Sequence, residues 1–337
     1  MTWLSELGAA SPVVAAPMAG GPTTPELVLA AAGAGSLGFL AAGYLTADAL
    51  GEDLGRVRAA TGLYGVNLFA PPPVPVDRAE YAAYRELIKP EADRYAVDLP
   101  ADPVEDDDSW RDKVDVLLEH PAPVVSFTFG IPDPASLDAL RAAGSLLVQT
   151  VTNLDEARQA DGAGVDVLAV QGSAAGGHSG TLTPARVPVE RPLADLVGEI
   201  HAALELPVLG AGGIAAADDV SLVLAAGADA VAVGTVLLLA DESGASPAHR
   251  AGLAARSRDT QVMRAWTGRP ARGLRNAFSE AYDASAPLGY PALHHLTRPI
   301  RRAAAAAGDP ERVNLWAGTG YRAAREAPAA EILRSLA

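Results

Sequence analysis

Residues 165–180 read VDVLAVQGSAAGGHSG, and the fold turns on what this stretch is. Val167 to Val170 is a short apolar run with the length of a buried strand, ended by Gln171 and Gly172. Ala174, Ala175, Gly176 and Gly177 then form a loop almost without side chains, and His178 follows. A buried strand running into a bare loop that presents one imidazole has the grammar of a site. Small residues let a flat ligand approach the backbone closely, and imidazole is suited to proton transfer near neutral pH. Taken alone, the same stretch equally describes a Gly-rich turn carrying a solvated His, so its neighbours decide.

On both sides, short apolar runs alternate with helical segments. Strands are expected at 12–16, 36–39, 64–68, 124–127, 146–151, 167–170, 207–209 and 230–233, with helices between them. Short apolar strands separated by helices are the pattern of a parallel sheet covered on its outside. Eight such units predict a closed (β/α)8 TIM barrel. An open doubly wound sheet is the alternative. Here the glycines after the first strand have neither the GxGxxG spacing nor a ribose-binding acid at the distance that fold uses.

The alternation stops after Ala240. The expected organisation is a barrel over 1–240 with a surface insertion at about 70–120, a helical cap over 241–310, and a segment 311–337 returning to the barrel. Within the insertion, 70–76 is Pro-rich and 98–108 is rich in Pro and Asp. Residues 78–95 between them read as an exposed helix.

Composition narrows the function. The chain has 337 residues, enough for a large core, and 49% hydrophobic content with 20% charged residues is globular. A net charge of −15 argues against nucleic acid or an anionic membrane as the main partner. The absence of cysteine removes disulfides, thiolate nucleophiles and Cys-ligated metals, and no metal site is expected. Residues 27–47 are uncharged and about 20 residues long, the length of a membrane span. Their glycines at 33, 35, 38 and 43 read instead as punctuation between helix, strand and loop. No Lys or Arg precedes Arg56, so the basic start of a signal peptide is missing and a cytoplasmic protein is expected. The oligomeric state is open, a homodimer being one arrangement.

In such a barrel the site lies at the C-terminal ends of the strands. Collecting residues there gives Pro17 and Met18 after strand one, Asn67 on strand three and Gln171 through His178 after strand six. Gly210, Gly212 and Gly213 follow strand seven, and Gly234 and Thr235 follow strand eight. Loops after the last two strands, with bare backbone N–H groups and a helix start, make the phosphate site of this fold. A phosphorylated ligand, small residues for a flat ring, and amides at Asn67 and Gln171 for alternating donors and acceptors together point to FMN.

These residues also carry a family resemblance. APMAG at 16–20, GVNL at 65–68, FTFGIP at 127–132, QGxxAGGHxG at 171–180, GAGGI at 210–214, VGT at 233–235, TGRPAR at 267–272 and LWAG at 315–318 resemble the nitronate monooxygenases. The resemblance spans nearly the whole chain in the same order. It implies bound FMN and oxidation of alkyl nitronates by O2 to carbonyl compounds and nitrite. It also implies a His beside the flavin, here His178, acting as base on neutral nitroalkanes or orienting the nitronate. Pro17, Met18, Asn67, Gln171, Gly176, Gly177, Gly212, Gly213, Gly234 and Thr235 match flavin-contacting positions. Two positions depart from the family pattern. Ala174 stands where a Glu is usual, and Thr319 where a Gln commonly follows LWAG.

A protonated His178 would attract a nitronate, and a neutral one would take a nitroalkane proton, so the two roles need opposite charge states. Of the other His residues, at most one of His294 and His295 is expected to line the site. His120, His201 and His249 read as solvated. Arg269, Arg272, Arg298, Arg301 and Arg302 are expected to be mostly paired with carboxylates. Two other functions fit the same barrel: an FMN-dependent enoyl-acyl-carrier-protein reductase and a flavin-binding protein without turnover.

Overall fold

The computed structural model describes residues 2–71 and 74–337, so the Pro-rich run 70–76 lies partly outside the described residues. Its strands are β1 (Val13–Ala15), β2 (Gly38–Ala41), β3 (Tyr64–Phe69), β4 (Val124–Thr128), β5 (Leu146–Val151), β6 (Val167–Gln171), β7 (Gly177–His178), β8 (Val208–Ala211), β9 (Ala230–Val233), β10 (Thr260–Met263) and β11 (Ala271–Leu274). Eight of them close a parallel barrel in the order β1-β2-β3-β4-β5-β6-β8-β9. Closure is made by β9 against β1, with Val13, Val14 and Ala15 opposite Val231, Ala232 and Val233. The expected (β/α)8 barrel is therefore the observed fold.

Most strand ends lie within a residue of those expected, and the larger shifts, at β2 and β8, have local reasons. Ser36 N–H donates to Ala31 O at 3.0 Å, so residue 36 still belongs to the turn that ends helix Pro25–Gly33. Strand β8 continues to Ala211 because Gly210 is a ladder residue opposite Val170. A Cβ on Gly210 would lie 2.6 Å from Val223 Cγ1, so only glycine admits the covering helix Ala217–Ala225 this closely.

The barrel floor is filled. Val14, Phe39, Val148, Val167, Leu209 and Ala232 form an interior cluster with Trp3 and Leu4 of the N-terminal helix Trp3–Glu6, which plugs that end. The open end is the C-terminal one. Residues 27–47 resolve into the end of one helix, β2 and the approach to helix Ala47–Ala60. No helix among the described residues is long and apolar enough to cross a membrane.

Helix Arg78–Arg94 corrects the exposed reading. Tyr81, Tyr84, Ile88 and Ala92 make a buried stripe at helical spacing, packed with Trp266, Phe278, Leu293, Leu296 and Ile300 of the cap. Two tyrosines disguised the stripe, because their hydroxyls needed partners. Tyr84 donates to Ala265 O at 2.7 Å, and Tyr81 to Pro100 O and Asp102 O at 3.2 Å. The insertion carries a second helix, Trp110–Glu119. The cap has helices Pro247–Ala254, Ala277–Tyr282 and Ala292–Ala306, and adds an antiparallel sheet in the order β10-β11-β7. Through β7, the loop from the barrel is a strand of the cap.

Adjacent residues on helix Arg78–Arg94 test its burial. Ile88 is fully buried, whereas Leu87 is 43% exposed. Ile88→Ala is expected to cost about 2–5 kcal/mol and Leu87→Ala less than about 0.5 kcal/mol, measured by denaturant unfolding. Equal losses would place the helix on the surface.

Candidate active site

Pro17, Met18, Asn67, Gln171, Gly176, Gly177, His178, Gly212, Gly213, Gly234 and Thr235 all line one cavity of about 380 Å³ at the barrel mouth. Phe39, Val148, Leu209 and Ala232 form part of its apolar wall. Opening beside it, and sharing Met18, Tyr44, Phe69, Phe129, His294 and Arg301, is an outer chamber of about 660 Å³.

At one end of the inner cavity the walls are nearly bare backbone. Gly212 and Gly213 sit at φ +118° and +79°, values that L side chains disfavour. The N–H groups of Gly212, Gly213, Gly234 and Thr235 have no acceptor among the described residues. The Thr235 hydroxyl accepts from Gly318 N–H at 3.0 Å and keeps its own proton to donate. This is a cradle for an anionic group.

The two departures from the family pattern meet here. Thr319 N–H donates to Ala174 O at 3.0 Å. A Cβ on Gly213 would lie 2.9 Å from Ala174 Cβ and 3.4 Å from Thr319 Oγ1. Both small residues face the same glycine, and neither brings a charge to the cradle.

The two amides are set differently. Asn67 is buried on β3, and its Nδ2 donates to Ser126 Oγ at 2.9 Å and Thr128 Oγ1 at 3.1 Å on β4, which leaves Oδ1 as an acceptor. Gln171 clasps the loop that follows it. Its Oε1 accepts from Gly180 N–H at 2.7 Å, and its Nε2 donates to His178 O at 3.1 Å, with one N–H left for the cavity. Glu156 holds the far side of that loop, accepting from Thr181 Oγ1 at 2.6 Å and Leu182 N–H at 2.9 Å.

His178 pairs with Ala271 of β11, and its Nε2 lies 2.9 Å from Thr267 Oγ1. Thr267 Oγ1 in turn donates to Arg269 O at 3.5 Å. A hydroxyl that donates there accepts from Nε2–H, which leaves Nδ1 as the bare nitrogen. Phe129, Tyr290 and Trp316 surround the imidazole, with ring centres 5.7, 5.6 and 5.3 Å away. Burial, then the charges of Arg269 and Arg301, push the His178 pKa down to about 3. Of the two charge states, this favours the neutral imidazole at physiological pH.

Several residues at the site had no individual signal in the sequence. Phe129 and Tyr44 adopt φ +83° and +68°, strained for side-chain-bearing residues. Tyr44 is held by its N–H donating to Asp108 Oδ1 at 2.9 Å, and Asp108 pairs with Lys113 at 2.6 Å. Both partners of that clasp come from the insertion. Tyr44 stacks on His294 at 4.2 Å, and Tyr290 donates to its hydroxyl at 3.2 Å. Arg269 lies 4.1 Å over the Phe129 ring and donates to the carbonyls of Ser179 and Thr181.

The expectations for charged residues need correction. Of the five arginines, Arg272 has an ion pair, with Glu190 at 3.0 Å. Arg269 and Arg301 bond to carbonyls and neutral side chains instead. His249 is buried, not solvated: its Nε2 lies 2.9 Å from Trp316 O, and burial lowers its pKa to about 4. His120 and His201 are exposed. His294 lines both chambers, while His295 reaches only the outer one and pairs there with Asp106 at 2.8 Å.

A (β/α)8 barrel whose mouth holds one cavity lined by backbone donors unpaired among the described residues and by a partly buried imidazole has the site of a small-molecule enzyme. The chain belongs to the nitronate monooxygenase family, whose pattern it matches over residues 2–337. It is an oxidoreductase. A probable nitronate monooxygenase of Staphylococcus aureus (strain Newman) is 33% identical over 332 residues, covering 96% of this chain and 93% of the relative. A probable nitronate monooxygenase of Staphylococcus saprophyticus is 34% identical over 318 residues, covering 92% and 89%. The nitroalkane oxidase of Streptomyces ansochromogenes superposes with a TM-score of 0.93 at 42% identity, over 99% of this chain and 97% of that one. FabK from Thermotoga maritima superposes with a TM-score of 0.76 at 26% identity, over 100% and 94%.

Three imidazoles, those of His178, His249 and His294, set a pH dependence, because burial lowers the pKa of each. Unfolded His takes a proton below about pH 6.5, whereas His178 and His249 stay neutral in the fold down to about 3 and 4. The unfolded state thus binds more protons in that window, and stability falls as pH drops below about 6.5. Thermal unfolding followed from pH 8 to 4.5 should show the fall, and His249→Gln should make it shallower. An equally steep fall in the variant would mean that His249 is already charged in the folded protein.

Proposed function

We propose that this chain binds FMN in the inner cavity and oxidises alkyl nitronates with O2 to carbonyl compounds and nitrite. The carrying observation is that a glycine cradle and His178 line one cavity at the barrel mouth. Gly212, Gly213, Gly234 and Thr235 take the phosphate through backbone N–H groups and the Thr235 hydroxyl. Bare walls at Gly176 and Gly177 accept the flat ring, and Asn67 Oδ1 with the remaining Gln171 N–H meets its polar edge. Bound FMN would supply the redox chemistry between the nitronate and O2.

His178 Nδ1 faces the substrate as a proton acceptor. Its lowered pKa makes it a weak base, so deprotonating a neutral nitroalkane is slow. A nitronate arrives already deprotonated and needs no base. This favours nitronates over nitroalkanes as substrates. Arg269 and Arg301, the charges that keep His178 neutral, also favour an anion in the cavity.

The direct test is to load the purified protein with FMN, add ethylnitronate in air, and follow O2 uptake and nitrite. A yellow protein that releases nitrite is expected, with no faster NADPH oxidation when an enoyl thioester is supplied. A protein that takes up no FMN, or that oxidises NADPH with the thioester and makes no nitrite, contradicts the proposal. In His178→Asn, FMN is retained, turnover of nitroethane falls roughly 100-fold or more, and turnover of ethylnitronate falls less. Equal losses on both substrates would assign His178 to orientation instead of proton transfer.

A further inference from the structure

Arg301 is a partly buried cation with no carboxylate partner among the described residues. Its Nε donates to Thr297 Oγ1 at 3.1 Å, one Nη1 hydrogen to Asn314 Oδ1 at 3.3 Å, and Nη2 to His294 O at 2.8 Å. Nη2 also lies 3.3 Å from His294 Nδ1. Every one of these partners is neutral. A guanidinium has five N–H donors, so a second Nη1 hydrogen remains uncommitted. Arg301 lines both the inner cavity and the outer chamber, and therefore sits where they join.

A cation held at a cavity wall by neutral partners alone leaves its charge for an anion to complete. Nothing on its own helix does so: Arg298 and Arg302 are also cationic, and burial with these like charges lowers the Arg301 pKa to about 10. The second donor is close by. Tyr44 accepts from the Tyr290 hydroxyl, so its own O–H proton has no acceptor among the described residues. Tyr44 lines the same two chambers. One charged N–H and one phenol O–H can each donate to a different oxygen of a small oxyanion.

We infer that Arg301 and the Tyr44 hydroxyl form the subsite for the charged head of the substrate, a planar oxyanion such as the nitronate group. The inference rests on the proposed nitronate oxidation for the identity of that oxyanion. Arg301 then determines specificity at the binding step: it separates nitronates from their neutral nitroalkane acids by charge, whereas His178 separates them by proton transfer. The four bonds that fix the guanidinium keep it from following the anion toward solvent.

Sodium nitrate, a planar oxyanion that is not turned over, is the probe, with sodium chloride as the control. In the FMN-loaded protein, nitrate is expected to shift the flavin absorbance saturably, raise the unfolding temperature and compete with ethylnitronate. Arg301→Gln should weaken nitrate binding at least tenfold and lower the ratio of kcat/KM for ethylnitronate to that for nitroethane at least tenfold. Tyr44→Phe, which keeps the ring and its stacking, should weaken nitrate at least threefold. If Arg301→Gln does not fold, Tyr44→Phe decides alone. Undiminished nitrate affinity in the variants, or an equal loss on both substrates, overturns the inference and leaves Arg301 a scaffold residue. Wild-type protein that binds nitrate through Arg301 yet makes no nitrite would sink the nitronate reading and leave the oxyanion subsite standing.

Discussion

The Gln171 side chain holds the two halves of the molecule in register at the point where they meet. Its amide ties the last barrel residue of β6 to the backbone of His178 and Gly180. His178 is then paired to Ala271, and Ser179 N–H donates to Pro270 O at 2.8 Å. The imidazole therefore stands on a strand of the three-stranded sheet, tied to the barrel through Gln171, not on a free loop. This explains why the segment is nearly all glycine and alanine. A Cβ on Gly176 would lie 2.4 Å from Gly318 N, so only a bare backbone lets the LWAG segment close over it. The same closure brings Trp316 against His178 and Gly318 against Thr235, so cap and cradle depend on one seam.

Charge in this interior obeys burial before pairing. Arg269 and Arg301 have no ion pair among the described residues and are satisfied by carbonyls, amides and one aromatic face. Their field and the surrounding rings keep His178 neutral. The insertion contributes from outside the barrel: Asp108 and Lys113 hold the strained backbone of Tyr44 at the cavity wall. A segment that reads as surface decoration thus reaches the site through one carboxylate.

The barrel was legible because a buried parallel strand needs a continuous apolar run, and eight such runs recur with helices between them. The turn after β8 was legible because Gly212 and Gly213 occupy backbone angles that demand glycine. What stayed hidden depends on contacts between distant segments. A two-residue strand such as β7 has no periodicity to detect. The stripe on helix Arg78–Arg94 was masked by tyrosines whose polar ends are satisfied only in the fold. The arginines were misread because counting charges along a chain says nothing about which carbonyls will surround them. His249 was missed for the same reason, since its partner is the backbone of Trp316.

The central claim is that His178 is a neutral imidazole protonated on Nε2, with Nδ1 bare toward the substrate. Nitrogen-15 NMR of the histidine side chains, with His178 assigned through His178→Asn, reads this directly. Between pH 8 and 5 the expected spectrum has one protonated nitrogen at Nε2 and an unprotonated Nδ1, with no titration near 6.5. An imidazolium signal for His178 at pH 7, or a proton on Nδ1, would contradict it.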